Sequence, residues 1–227
     1  MIPGVFVTGT DTGIGKTLAC CALLHALAAR GVRAAPMKPI AAGAVERDGR
    51  WANDDTLRLL EAAGLDGASA ETVTPILLRE ALAPHIAAAR EGRVISLAPV
   101  MAALHRLALS APFLVIEGVG GFRVPLDDRT DTVDLARAIG LPVVLVVGLR
   151  LGCLNHALLT AQAISTAGLT FSGWIANGID PAMQAADENL AALRARLAAP
   201  LLGRIPFRSN PDPRSLAAEL DVSALLA

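Results

Sequence analysis

Two kinds of apolar pattern alternate along the chain. Residues 4–8, 32–37, 113–116, 143–147, 172–176 and 201–205 form short, mostly apolar runs rich in Val, Ile, Leu and Ala. The most continuous of them suit strands buried on both faces of a parallel sheet. Between these runs, apolar residues recur at helical spacing. In residues 16–30 the repeat is Leu18, Cys21, Ala22, Leu24, His25, Leu27 and Ala28, and Gly31 supplies the glycine that commonly ends a helix. The same spacing predicts helices over 55–63, 98–110, 132–138, 155–167 and 187–197. Strand, helix and strand in succession imply parallel strands joined by right-handed crossovers. The expectation is one α/β domain over residues 1–227, a doubly wound, mainly parallel sheet with helices on both faces. Residues 41–53 are polar and glycine-containing, and read as a loop over a site.

Composition narrows the possible functions. Lys and Arg number 20 against 21 Asp and Glu, for a formal charge of −1. A near-neutral chain argues against a nucleic-acid partner, whose binding rests on neutralising phosphates. With 53% apolar residues the chain is not disordered. Aromatic residues make up only 3%, with no Tyr, so the core is expected to be aliphatic. Adjacent Cys20 and Cys21, with Cys153 far away, make neither a disulfide framework nor a zinc pattern, and the four histidines have no metal spacing. The start, Met1-Ile2-Pro3-Gly4, has no secretory-leader pattern, and the apolar run 141–149 is shorter than the roughly 20 residues of a membrane span. A soluble, cytoplasmic protein without membrane contact is expected.

In open α/β sheets, ligands sit beyond the carboxyl ends of the strands. After the first run comes Gly9-Thr10-Asp11-Thr12-Gly13-Ile14-Gly15-Lys16-Thr17, between a strand and a helix. Glycines let the backbone wrap an anion, and the helix N-terminus favours negative charge. Lys16 suits the β- and γ-phosphates, and the Thr17 hydroxyl suits Mg²⁺. A strict GxxxxGK[ST] spacing would put glycine where Thr10 stands; Gly9 lies one step earlier. Mg²⁺ needs oxygen ligands. Glu117 ends a strand before Gly118, Val119 and Gly120, and Asp54 and Asp55 stand at a helix start, where Asp54 also suits an N-cap. Lys38 ends the second strand before Pro39; a Lys there calls for a negative partner, for which the phosphate loop is the nearest candidate, with a surface position as the alternative.

Taken in order, these motifs resemble those of the dethiobiotin synthetase family. The residues are Phe6 to Thr12 with Gly15-Lys16-Thr17, Lys38-Pro39-Ile40 with Gly43, Asn53-Asp54-Asp55 and Glu117 to Gly121. The longest match runs from Val147 to Ala157, followed by Gly173 to Asn177 and Leu202 to Pro206. The resemblance implies a P-loop fold and an ATP-dependent ring closure. In it 7,8-diaminononanoate, CO₂ (or bicarbonate) and Mg–ATP give dethiobiotin, ADP and phosphate. It also implies a homodimer, with substrate reaching across the subunit interface.

Carried over residue by residue, the resemblance makes Lys16 and Lys38 the catalytic cations and Thr17, Asp55 and Glu117 the Mg²⁺ ligands. Gly13, Ile14, Gly15, Lys16, Thr17 and Leu18 would hold the phosphates, bordered by Gly118, Val119 and Gly120. Asn177, Pro206 and Phe207, with Gly178 and Arg208 beside them, would surround the adenine. Thr12, Lys38, Ala42 and Asn155 would meet the substrate. Three departures bear on substrate binding: Gly13 stands where the family commonly has Glu, Ala42 where it often has Ser, and the chain has no Tyr to offer a second subunit. Asn189 lies near the place of that Tyr. Regulatory ATPases of the deviant Walker group carry a second Lys early in the loop, where this chain has Asp11-Thr12-Gly13, and its tail 215–227 has only acidic charges. A cobyrinate-type amidotransferase would need a glutaminase domain, and a nucleotide-dependent binding module would not call for both Lys38 and the 148–155 loop.

Overall fold

The protein is described by a computed structural model covering residues 2–47 and 49–226. Met1, Asp48 and Ala227 lie outside the described residues, so the ends of the predicted 1–227 domain do too. Chain order is β1 (Gly4–Gly9), α1 (Lys16–Ala29), β2 (Ala34–Met37), β3 (Ile40–Ala42), β4 (Val45–Arg47), β5 (Arg50–Ala52), α2 (Asp54–Ala62), α3 (Ala70–Val73), β6 (Ile76–Leu78) and α4 (Pro84–Arg90). It continues with α5 (Leu97–Ser110), β7 (Phe113–Glu117), α6 (Thr132–Ile139), β8 (Val143–Leu149), α7 (Cys153–Thr166), β9 (Phe171–Gly178), α8 (Ala186–Arg194), β10 (Leu201–Ile205) and α9 (Pro213–Leu216).

Six strands form one parallel sheet in the order β10-β9-β8-β1-β7-β2. Successive strand residues point to opposite faces, so each strand feeds two cores. Phe6, Leu114, Ile116, Leu145, Val147 and Trp174 pack on one side with residues of α5, α6 and α7. Val5, Val7, Val115, Val144, Val146 and Ile175 pack on the other with α1 and the C-terminal segment. All seven residues of β8 are buried, which explains its unbroken apolar run.

From β1 the chain moves out to β2, and from β8 it moves the opposite way to β9 and β10. Neighbouring β1 and β8 therefore flank the switch point, where open sheets leave a crevice. The predicted doubly wound α/β class is the observed one.

The reading of 41–53 as a loop is corrected. β3 pairs in parallel with β6, and β4 pairs with β5 as an antiparallel hairpin with Arg47 opposite Arg50. The Asp48-Gly49 dipeptide between those strands is a strong hairpin signal, and Gly49 has the positive φ of 75° such turns use. The N-cap of α2 is also corrected: Asn53, not Asp54, accepts the free backbone N–H groups of Asp55 and Thr56. Asp54 instead pairs with Arg47 at the surface.

Candidate active site

The carboxyl edge of the sheet carries a buried cluster of opposite charges. Lys16 is the first residue of α1, directly after Gly15, which caps the helix with φ 83°. A side chain at Gly15 would collide with the amide of Asn177. That amide donates a 2.7 Å hydrogen bond to the Ile14 carbonyl, so the end of β9 holds the loop from beneath. Lys38 follows β2, and its ammonium donates to Asp55 Oδ2 at 2.8 Å and to Glu117 Oε1 at 2.5 Å. The Thr17 hydroxyl donates to the same Glu117 oxygen at 2.9 Å. The Lys16 ammonium donates to the Asp11 carbonyl at 2.8 Å.

Burial sets the electrostatics. Lys38 is 4% exposed and Glu117 1% exposed. Burial alone would push the Lys38 ammonium down, but the facing Glu117 and Asp55 carboxylates outweigh it and hold the ammonium above its ordinary range. Burial would likewise raise Asp55, and the Lys38 charge holds it below the usual carboxylate range instead. Lys16 is pushed down by burial, with Glu117 partly offsetting that effect.

One buried atom in this cluster is unsatisfied. Glu117 Oε2 has no hydrogen-bond partner among the described residues. An unpaired buried carboxylate oxygen carries a desolvation penalty, and a cation is the usual remedy. With the Thr17 hydroxyl and Asp55, it offers an all-oxygen donor set of the kind Mg²⁺ takes. The residues present fit the ion.

A cleft of about 800 Å³ opens over the cluster. Of the residues expected in the site, Thr12, Gly13, Gly15, Lys16, Thr17, Leu18, Lys38, Ala42, Asp55, Glu117, Val119 and Gly120 line it. Ile14, within the loop, is buried. Gly118 donates its N–H to the Val7 carbonyl, and a Cβ there would press tightly on the Phe6 ring, 3.1 Å away. Gly178, Pro206 and Phe207 meet at the neighbouring strand ends, since a Cβ on Gly178 would touch the Phe207 nitrogen and Pro206. Arg208 is exposed just beyond them.

Asn155 is exposed in the first turn of α7 and does not line the cleft. Asn189 lies on α8, with its amide on the Ala185 carbonyl. Sequence reasoning missed Arg58 and the wall formed by Ala81, Leu82, Ala83, Pro84 and Val124. Arg58 follows Asp55 by three residues, one helical turn, and that spacing was the available signal. The wall had none, because residues 81–84 and Val124 come to line the same cleft as the phosphate loop only through the fold.

A family profile described as an AAA domain matches residues 3–215. The ATP-dependent dethiobiotin synthetase BioD of Aromatoleum aromaticum is 55% identical over 215 residues, covering 95% of each chain. The chain belongs to the dethiobiotin synthetase family. Solved structures add the fold alone. A chain of the MinC:MinD cell division protein complex from Aquifex aeolicus superposes with a TM-score of 0.54 at 14% identity, over 91% of this chain and 82% of that one. A ParA-family ATPase from Chlorobium tepidum has the same score at 15% identity, over 100% of this chain and 90% of its own. The signal recognition particle receptor FtsY of Elizabethkingia anophelis with GDP also scores 0.54, at 13% identity over 94% of this chain, which spans 59% of that receptor. Family membership and P-loop fold agree with the strand-end motifs. No described helix is long and apolar enough to cross a membrane.

Proposed function

We propose that this chain is an ATP-dependent cyclo-ligase that converts 7,8-diaminononanoate and CO₂ to dethiobiotin, with release of ADP and phosphate. The observation that carries this reading is the meeting of Lys16, Lys38, Thr17, Asp55 and Glu117 at one sheet edge, in a chain 55% identical to a named dethiobiotin synthetase.

The substrate's 7-amino nitrogen adds to CO₂ and loses a proton, giving a carbamate. A carbamate oxygen then attacks the γ-phosphorus of ATP and ADP leaves. Finally the 8-amino nitrogen attacks the carbamoyl carbon and displaces phosphate, closing the ureido ring. The hard step brings one anion to another. Phosphoryl transfer is mainly positioning and charge stabilisation, so fixed cations are what the protein must supply. Lys16 opens the helix whose N-terminus faces the phosphates. Lys38 presents its charge from the end of β2, one strand beyond β7, held there by Asp55 and Glu117. The substrate amine must be neutral to attack, and the cations beside it favour loss of its proton.

Thr17, Asp55 and Glu117 would hold Mg²⁺, giving Glu117 Oε2 a partner where it has none among the described residues. Bound Mg²⁺ supplies neutralisation of phosphate charge. Asn177, Gly178, Pro206, Phe207 and Arg208 form the adenine side, and Thr12 and Ala42 border the carbamate. A homodimer belongs to the same reading, with Asn155 helping to hold the substrate carboxylate at the start of α7. The protein acts as a single-domain cytoplasmic enzyme.

The test is phosphate release with Mg–ATP and bicarbonate, with and without the diamine, alongside mass detection of dethiobiotin. Diamine-dependent release with product supports the reading. Equal release in both arms, or release without dethiobiotin, defeats it.

A further inference from the structure

The ion pair across the switch point has no role in the mechanism above. Arg150 follows β8, and its Nη2 donates to Asp11 Oδ2 at 2.6 Å, joining residues 139 apart in sequence. Asp11 is a hub. Its other carboxylate oxygen accepts from the Thr12 backbone N–H at 2.7 Å, and its carbonyl accepts the Lys16 ammonium at 2.8 Å. The guanidinium therefore holds the residue on which the lysine of the phosphate loop rests.

The loop leans on β8 at two further points. Thr10 N–H donates to the Val146 carbonyl at 3.0 Å. Ile14 packs against Gly148 so closely that a Cβ there would lie 2.8 Å from Ile14 Cγ2. Both of these contacts lie inside the strand. Arg150 lies past it, and its own carbonyl accepts the N–H of Cys153, the first residue of α7. One residue thus ties the phosphate loop to the start of α7. The pair is about half exposed, with side chains 42% and 47% accessible. An ion pair in that setting adds little to global stability, so its effect must be local.

We propose that Arg150 is a positioning residue: through Asp11 it fixes the loop that carries Lys16, and it couples the start of α7 to nucleotide binding. This deepens the proposed function, yet its test does not depend on ring closure. Mg–ATP affinity is measured by calorimetry on the full chain without the diamine, for wild type, Arg150→Met, Arg150→Lys, Asp11→Asn and the double variant Arg150→Met/Asp11→Asn.

Arg150→Met and Asp11→Asn should each weaken Mg–ATP binding by about ten-fold or more, the size of a lost charge-assisted hydrogen bond. The double variant should bind no worse than the weaker single variant, because both remove one link. Arg150→Lys should recover most of the affinity, and the melting temperature should move by only a few degrees. Wild-type affinity in Arg150→Met, or losses that add fully in the double variant, overturns the proposal. A global loss of melting temperature in both single variants overturns it as well, since that marks a structural brace. If ring closure is absent from the wild type while these affinity losses appear, the proposed function fails and the positioning role stands.

Discussion

Two parts of the molecule are both rich in charge and behave differently. At the carboxyl edge of the sheet, Lys16, Lys38, Asp55 and Glu117 are drawn together under the cleft, with Lys38 and Glu117 almost wholly out of water. Around the β4–β5 hairpin, Arg79 stacks 4.9 Å over the half-exposed Trp51 ring, while Arg90 pairs with Glu80 and Arg93 with Glu91. Those side chains stay largely in solvent, except that of Glu91, which is 14% accessible. Charge count does not separate the two regions; dielectric does. A pair in water contributes at most about 1 kcal/mol, whereas a buried charge without its partner is strongly destabilising.

The sharpest break of this contrast is removal of a buried cation. Lys16→Ala and Lys38→Met should each lower kcat by at least about 10²–10³-fold, the cost of losing one preorganised charge-stabilising group. Steady-state turnover of dethiobiotin near wild type would defeat the assigned role. Lys38→Met should also lose about 3–5 kcal/mol of stability in denaturant unfolding, because Glu117 is left buried and uncompensated. The double variant Lys38→Met/Glu117→Gln should regain part of that stability and none of the turnover. A variant that stays as unstable as Lys38→Met would show that the pair is not the cause.

A smaller effect is expected where backbone shape, and not charge, holds the site. Gly15→Ala forces a side chain into a left-handed conformation, costing about 1–2 kcal/mol, and pushes against the Asn177 amide. Thermal unfolding should show that loss, together with weaker Mg–ATP binding. On the hairpin, Trp51→Ala and Arg79→Ala should change turnover less than about two-fold and stability by about 1 kcal/mol or less, the range of an exposed cation–π contact. A ten-fold loss of turnover in either would show that the hairpin belongs to the site.

The smallest effect concerns the cysteines. Burial pushes the Cys20 thiol well up and the Cys21 thiol up to about 12, so neither forms appreciable thiolate near neutrality. In the folded protein both should resist iodoacetamide at pH 8 and react once denatured, as peptide mass mapping will read. Rapid labelling of folded Cys21 would show that α1 opens.

How far the site could be read from sequence follows from where its residues lie relative to strand ends. Lys38, Glu117 and Asn177 each follow or close an apolar run, and the rule that ligands gather at those ends marked all three. The Gly13 and Gly15 positions were legible because their positive φ values are ones that glycine adopts freely. What could not be read is who touches whom. Asn177 grips Ile14 across 163 positions, and Lys38 meets Glu117 across 79. The β3–β6 pairing and the wall at residues 81–84 were invisible for the same reason: their partners are distant in sequence and their own runs are only three or four residues long.

By itself, then, the sequence determined the alternation of strand and helix, the aliphatic two-sided sheet and the phosphate loop. Each follows from local periodicity and from what glycine, lysine and threonine can do in one turn of chain. Only the tertiary structure decided that Lys38 sits between two carboxylates, that Glu117 keeps one oxygen unpartnered among the described residues, and that Arg150 reaches Asp11. Those depend on strand order, which places β1 between β7 and β8 and brings together side chains from opposite ends of the chain. Burial then changes what each charge is worth.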